Sequence, residues 1–264
     1  MKSLKLYLVL TLVVLALLVA ACGGGGGSEP AAPSGGDSGG SEPVTSPVDP
    51  ATAGTITGRV LFTGVAPEPE AILMDAEPTC QALYPDGAFA ETVVVNDNGT
   101  LRNVFIYVKA GLGDVQFPTP GEGVVLDQKG CRYIPHVFGM QAGQDLVIRN
   151  SDDVLHNIHP VPTVNDSFNV GQPVKDMETT KTFEEPEVMI PIACDVHEWM
   201  SGYAGVLSHP YYAVSGEDGS FTLSNVPPGT YTVEAWHEVY GAQTMEVTVS
   251  EKGAAEIEFT FTGG

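Results

Sequence analysis

Cys194, His197 and Met200 stand three residues apart in Cys194-Asp-Val-His197-Glu-Trp-Met200, and a histidine-rich stretch, Leu-His156-Asn-Ile-His159-Pro, lies upstream. A thiolate, imidazoles and a thioether are the donors that select copper for one-electron transfer, with the thioether as a weak axial partner. Zinc suits this set less well, because its structural sites take four nitrogen or thiolate donors. The cofactor expected from these residues is copper, one ion in a mononuclear site. A dinuclear centre of the oxidase type would need a second cysteine in the loop, and this loop has one.

Before the cysteine, Val188, Ile190, Ile192 and Cys194 share one parity, so a strand over Glu187 to Ala193 would turn all four toward the same buried side. His197 and Met200 then follow on a tight loop. A remote histidine must close the site, and His156 is the first choice because it follows a strand over Asp145 to Arg149 and the turn Asn150-Ser-Asp-Asp. His159, three residues on, and His136, in Cys131-Arg-Tyr-Ile-Pro-His136-Val, stay open as replacements or additions. Trp199 either packs under the loop or presents an apolar rim to a partner. His209 and His237 read as hydrogen-bonded structural histidines.

The rest of the chain has period two and little helical periodicity. Ile56, Gly58, Val60 and Phe62 alternate with Thr57, Arg59 and Leu61, and Glu91 to Val95 meets Asn103 to Val108 across Asn-Asp-Asn-Gly as a predicted hairpin. Further short strands are expected over Gly123 to Leu126 and Tyr203 to Leu207, and near the C-terminus over Gln243 to Val249 and Ala255 to Phe261. Many short strands separated by Gly, Pro and Asn/Asp turns predict an all-β chain built of sandwiches.

Asn150-Ser-Asp-Asp-Val-Leu-His156-Asn resembles the segment that supplies the first histidine of plastocyanin-like cupredoxins, and Cys194-x-x-His197-x-x-Met200 resembles their short amicyanin-type ligand loop. The resemblance implies a Greek-key β-sandwich with His156, Cys194, His197 and Met200 as metal ligands. It also implies Asn157 as a clamp between the ligand loops and His197 as the ligand nearest solvent, where electrons leave. Asp218 to Val233 resembles the carboxypeptidase regulatory-like domain, a small transthyretin-like β-sandwich, through its D-G-x-F-x-L hairpin. That family's first strand is missing just upstream, but Gly54-Thr-Ile-Thr-Gly-Arg-Val60 has a similar pattern. Two arrangements therefore stay open: a cupredoxin inserted in the smaller domain, or two domains in series. The block from Val104 to His237 is similar to exported fusions labelled methylamine utilisation proteins, a label that establishes no role in amine metabolism; Trp236-His-Glu238 recurs there without an assigned chemistry.

Lys2 and Lys5 precede an apolar run, Leu6 to Ala21, with the basic start and small-residue end of an export signal. Leu18-Val-Ala-Ala-Cys22 resembles the lipobox of bacterial lipoproteins, which implies a lipid on Cys22. With Cys194 assigned to metal, Cys80 and Cys131 remain as the expected disulfide in an oxidising compartment. The Gly/Ser/Pro/Glu stretch that follows Cys22 cannot bury enough apolar surface to order itself and reads as a tether. The expected organisation is a signal peptide over 1–21, a lipidated cysteine and linker over 22–53, a cupredoxin-like copper domain over 54–210 and a regulatory-like sandwich over 211–264. Residues 54–62 are able to pair with the last domain.

Net charge is −22, from 11 Lys+Arg against 33 Asp+Glu. Such a surface repels nucleic acid, so none is expected as a partner. The expectation is a non-enzymatic electron carrier at the cell envelope, lipid-anchored to a membrane and serving redox proteins whose identity the sequence does not disclose. Copper capture or delivery, a metal-free adhesion or carbohydrate-binding sandwich, and an enzyme with an open copper position are the alternatives. No acid/base or nucleophile constellation independent of metal supports a hydrolase.

Overall fold

A computed structural model describes residues 47–264. The expected export segment, 1–21, Cys22 and the expected linker up to residue 46 lie outside the described residues. Among the described residues no helix is long and apolar enough to cross a membrane.

The chain is all-β, as expected. Strand β1 (Gly54–Thr63) leads into a connecting segment that holds the short pair β2 (Ala71–Ile72) and β3 (Ala88–Phe89) around one helical turn, α1 (Pro78–Gln81). Strand β4 (Phe105–Ala110) follows. Next come β5 (Val124–Gln128), β6 (Tyr133–Ile134), β7 (Val137–Gln141), β8 (Asp145–Asn150), β9 (His156–Pro160), β10 (Val170–Gln172), β11 (Met177–Thr182), β12 (Glu187–Ala193) and β13 (Ser201–Leu207). The chain ends with β14 (Tyr212–Val214), β15 (Ser220–Val226), β16 (Gly229–His237), β17 (Gly241–Val249) and β18 (Ala254–Thr262).

These strands make two sandwiches. The larger packs a five-stranded sheet, β10-β9-β12-β13-β7, on a four-stranded sheet, β11-β8-β5-β6. Its core includes Leu126, Met140, Leu146, Ile148, Ile190 and Ile192. The smaller packs β15-β1-β18 on β14-β4-β16-β17 around Ile56, Val60, Ile106, Val233, Phe259 and Phe261. Strand β1 lies between β15, antiparallel, and β18, parallel, so the Gly54 to Val60 pattern pairs with the C-terminal strands. Its alternation is the one read from sequence: Ile56, Val60 and Phe62 are buried while Arg59 and Thr63 face water.

The predicted hairpin of Glu91 to Val95 with Asn103 to Val108 does not form as a ladder. The Asn96–Gly99 turn is present, and Val95 bridges Leu101, but β4 pairs instead with β14 and β16. The cause is burial on both faces, which suits a central strand. Ile106 and Val108 enter the smaller core, whereas Phe105 and Tyr107 pack in a separate cluster with Val137, Met189 and Leu207 of the larger sandwich. Glycines make that second contact close. Gly139 and Gly205 are ladder partners on β7 and β13, and a Cβ on Gly205 would lie 2.3 Å from Phe105 Cζ.

Strand β12 shows one further departure. Ile190, Ile192 and Cys194 are buried together, but Val188 is 36% exposed. Met189 has a φ of 63°, and the β12/β13 register shifts between Glu187 and Ile190, so the shared parity begins only after this bulge.

Candidate metal centre

Three strand ends converge at one end of the larger sandwich. Asn150, the last residue of β8, accepts the Asp152 N–H at 2.9 Å on its side-chain oxygen and donates to Val154 O, forming the turn that delivers His156 to the start of β9. Strand β12 ends at Ala193, and the loop to β13 is closed by two backbone bonds: Met200 N–H to His197 O at 2.9 Å and Cys194 N–H to Met200 O at 3.2 Å. Tyr133, fully buried on β6, directs its hydroxyl at Asn157 O (2.5 Å) and Ala193 O (2.9 Å), fixing the two ligand-bearing strand ends to each other.

This scaffold brings His156, Cys194 and His197 together. The two Nδ1 atoms face each other at 2.9 Å, and Cys194 Sγ lies 3.9 Å from His197 Nδ1. All three side chains are buried. Donor separations of roughly 3 to 4 Å are those that a single ion bound at about 2.0–2.3 Å by nitrogen and sulfur imposes. One soft anionic donor and two imidazoles, shielded from water, fit copper. Met200 is buried at the same end, in the same apolar cluster as Cys194.

Asn157 ties the two loops. Its Oδ1 accepts the N–H groups of Asp195 at 2.7 Å and Val196 at 3.3 Å and lies 3.2 Å from Cys194 Sγ. Its amide donates to Asn169, which in turn donates to Asp195. Asp152, which the sequence did not single out, stands 2.9 Å from His156 Nε2.

Charge is arranged to match. Burial would push the Cys194 thiol up, but hydrogen bonds from His156 and from the backbone of Asn157, His197 and Val196 hold it below its ordinary value, which favours thiolate. Burial would lower His156, yet its bonds to Asp152 and Cys194 raise it. His197 is lowered by burial and then by the nearby His156 charge, which favours the neutral imidazole. Asp152, despite burial, is held low by His156 and by the N–H groups of Cys131 and Gly130.

The other candidates are engaged elsewhere. His136 is buried between Glu238 Oε1 (2.6 Å) and Ser201 O (3.1 Å), which places the Trp236-His-Glu238 segment at the junction of the sandwiches. His159 is 36% exposed at its side chain and pairs with Asp195 at 3.0 Å. Trp199 packs on the His197 ring at 4.9 Å between centroids and donates to Cys131 O at 3.1 Å. The Cys80–Cys131 disulfide is formed.

His197, the ligand that the resemblance puts nearest solvent, is itself buried at 3% exposure, against 0% for His156 and 1% for Met200. The segment between β1 and β4 crosses this end and sets the Glu77 carboxylate 4.0 Å from His197 Nε2. Asp152 and Glu77 were missed because both act from loops, where spacing carries no facing rule. The Asx-type turn at Asn150 was the one local signal pointing to Asp152.

Residues 205–262 match the carboxypeptidase regulatory-like domain. No curated protein matches the chain in sequence. Among solved structures, an amicyanin variant in its Cu(I) form is similar at 19% identity and a TM-score of 0.29, covering 38% of this chain and 97% of its own. A purple cupredoxin from Nitrosopumilus maritimus is similar at 20% identity and a TM-score of 0.28, over 32% of this chain and 99% of its own. A copper-containing nitrite reductase from Thermus scotoductus SA-01 is similar at 18% identity and a TM-score of 0.32, over 37% of this chain; the match spans 24% of the reductase.

Proposed function

We propose that His156, Cys194 and His197 hold one copper ion, with Met200 as the weak fourth donor, and that the protein carries single electrons between redox proteins outside the cytoplasm. A lipid on Cys22 would hold it at a membrane through the linker. The observation that carries this reading is the buried convergence of two Nδ1 atoms on a thiol that is itself biased toward thiolate.

Copper bound there supplies a one-electron couple between +1 and +2. The chain's own residues do the rest. Asp152 and Asn157 fix the His156 ring and the cysteine loop, and Tyr133 pins both strand ends, so the donors keep their places whichever charge the site carries. Burial excludes water from the donors. The acidic surface favours partners that present positive charge.

The test is an equilibrium titration of the purified protein with Cu(II), followed by voltammetry of the loaded form. One equivalent bound, lost in Cys194→Ser, with a reversible one-electron wave, is expected. Uptake that survives Cys194→Ser but not His136→Ala would move the site to the other histidines and overturn the assignment.

A further inference from the structure

The segment between β1 and β4 belongs by its ends to the smaller sandwich, yet its middle lies on the metal end of the larger one. Met74, Cys80 and Ala88 are buried in the same apolar cluster as Cys194 and Met200. Several ties hold it there. Cys80 is bonded to Cys131, Tyr84 Oη donates to Gly130 O at 2.7 Å, and Arg132 Nη2 donates to Phe89 O at 2.6 Å. Glu77, the residue before α1, is thereby brought to His197 Nε2 at 4.0 Å, close enough for charge to act though longer than a direct hydrogen bond. His197 is buried although the adjacent Val196 is 45% exposed.

We propose that residues 64–92 form a covalently tied cover over the outward edge of the metal centre, and that Glu77 is a positioning residue which holds the His197 ring with its inner nitrogen toward Cys194 and His156. The proposal rests on the copper reading. At 4.0 Å from Nε2 the carboxylate acts on the ring by charge, not through a direct hydrogen bond, and from that side it leaves Nδ1 turned toward the other donors. The same fixed negative charge favours the more positive oxidation state of the ion. The covered edge slows the approach of small molecules to His197.

Two substitutions in the full chain separate charge from cover: Glu77→Gln keeps an acceptor of the same shape, and Glu77→Ala removes it. In the metal-free protein, the rate at which diethyl pyrocarbonate modifies each histidine is read by peptide mass spectrometry. His197 should react at least tenfold more slowly than the half-exposed His159 in the unaltered protein and in Glu77→Gln, and several-fold faster in Glu77→Ala. In the copper-loaded protein, both substitutions should shift the Cu(I)/Cu(II) ratio at a fixed potential three- to tenfold toward Cu(I), a tenfold change being about 59 mV for one electron. Equal His197 and His159 reactivity in the unaltered protein, or an identical ratio in all three proteins, would overturn the proposal. If no Cys194-dependent copper binds, the copper reading fails separately, and the histidine protection still decides whether the segment is a cover.

Discussion

The Asp152 carboxylate stands 2.9 Å from His156 Nε2 while its oxygens accept the backbone N–H groups of Gly130 and Cys131 at 2.9 and 2.7 Å. One aspartate therefore links a candidate ligand to the disulfide-bonded turn. Asp152→Asn keeps the shape and removes the charge. Loss of such an outer partner costs about 10- to 100-fold in metal affinity, to be read by chelator competition. Unchanged affinity would show that the carboxylate does not support His156.

The Cys80–Cys131 bridge closes a loop of 51 residues in sequence. On chain entropy, its removal in Cys80→Ser/Cys131→Ser should cost about 4 kcal/mol of stability. Denaturant unfolding of the metal-free protein measures this. A loss below about 1 kcal/mol would mean that the segment over the metal end is held mainly by its other contacts.

The seat for Phe105 depends on two glycines lacking a Cβ. Gly205→Ala forces Phe105 or β13 to shift, and overpacking of this kind costs about 1 to 3 kcal/mol. Phe105→Leu in the same chain should return part of it, since the leucine withdraws the clashing ring edge. The denaturant midpoints of the single and double variants decide the matter.

Acid stability has two windows. Burial pushes His209 and His237 down to about 4 from an ordinary 6.5. The unfolded chain therefore takes up protons below 6.5 that the folded chain refuses until about 4, and stability falls as pH drops through that interval. Glu187 behaves oppositely: burial would raise it, but N–H groups of Thr163 and Asn165 and their side chains hold it at about 2 against an ordinary 4.5. Its contribution is present above 4.5 and lost as pH falls toward 2. Denaturant midpoints against pH should flatten in the upper window for His209→Gln and in the lower for Glu187→Gln. A midpoint constant from pH 6.5 to 4 would contradict the buried neutral histidines.

Much of this was legible where one face of a strand is wet. Alternation in β1 and β18 shows directly as buried and exposed side chains. The all-β class and the Cys80–Cys131 pairing followed from turn residues, the expectation of export and cysteine usage. The partners of β4 are not legible in sequence, because Phe105 to Val108 are buried on both faces, which hides the partner that a half-polar strand would disclose. Val188 was turned inward because a bulge at Met189 has no sequence mark. Within the site, His156, Cys194 and His197 could be read from donor type and the turn before β9. Glu77 could not, because it lies far from His197 in sequence, on a connecting segment that the Cys80–Cys131 disulfide and other contacts tie to the larger sandwich.

If Cys194 is a thiolate ligand to copper, Cu(II) addition should show it in the visible absorption spectrum. Strong thiolate-to-copper absorption saturating at one equivalent, and absent from Cys194→Ser, is the predicted result. Spectra that stay the same with and without the cysteine would contradict it.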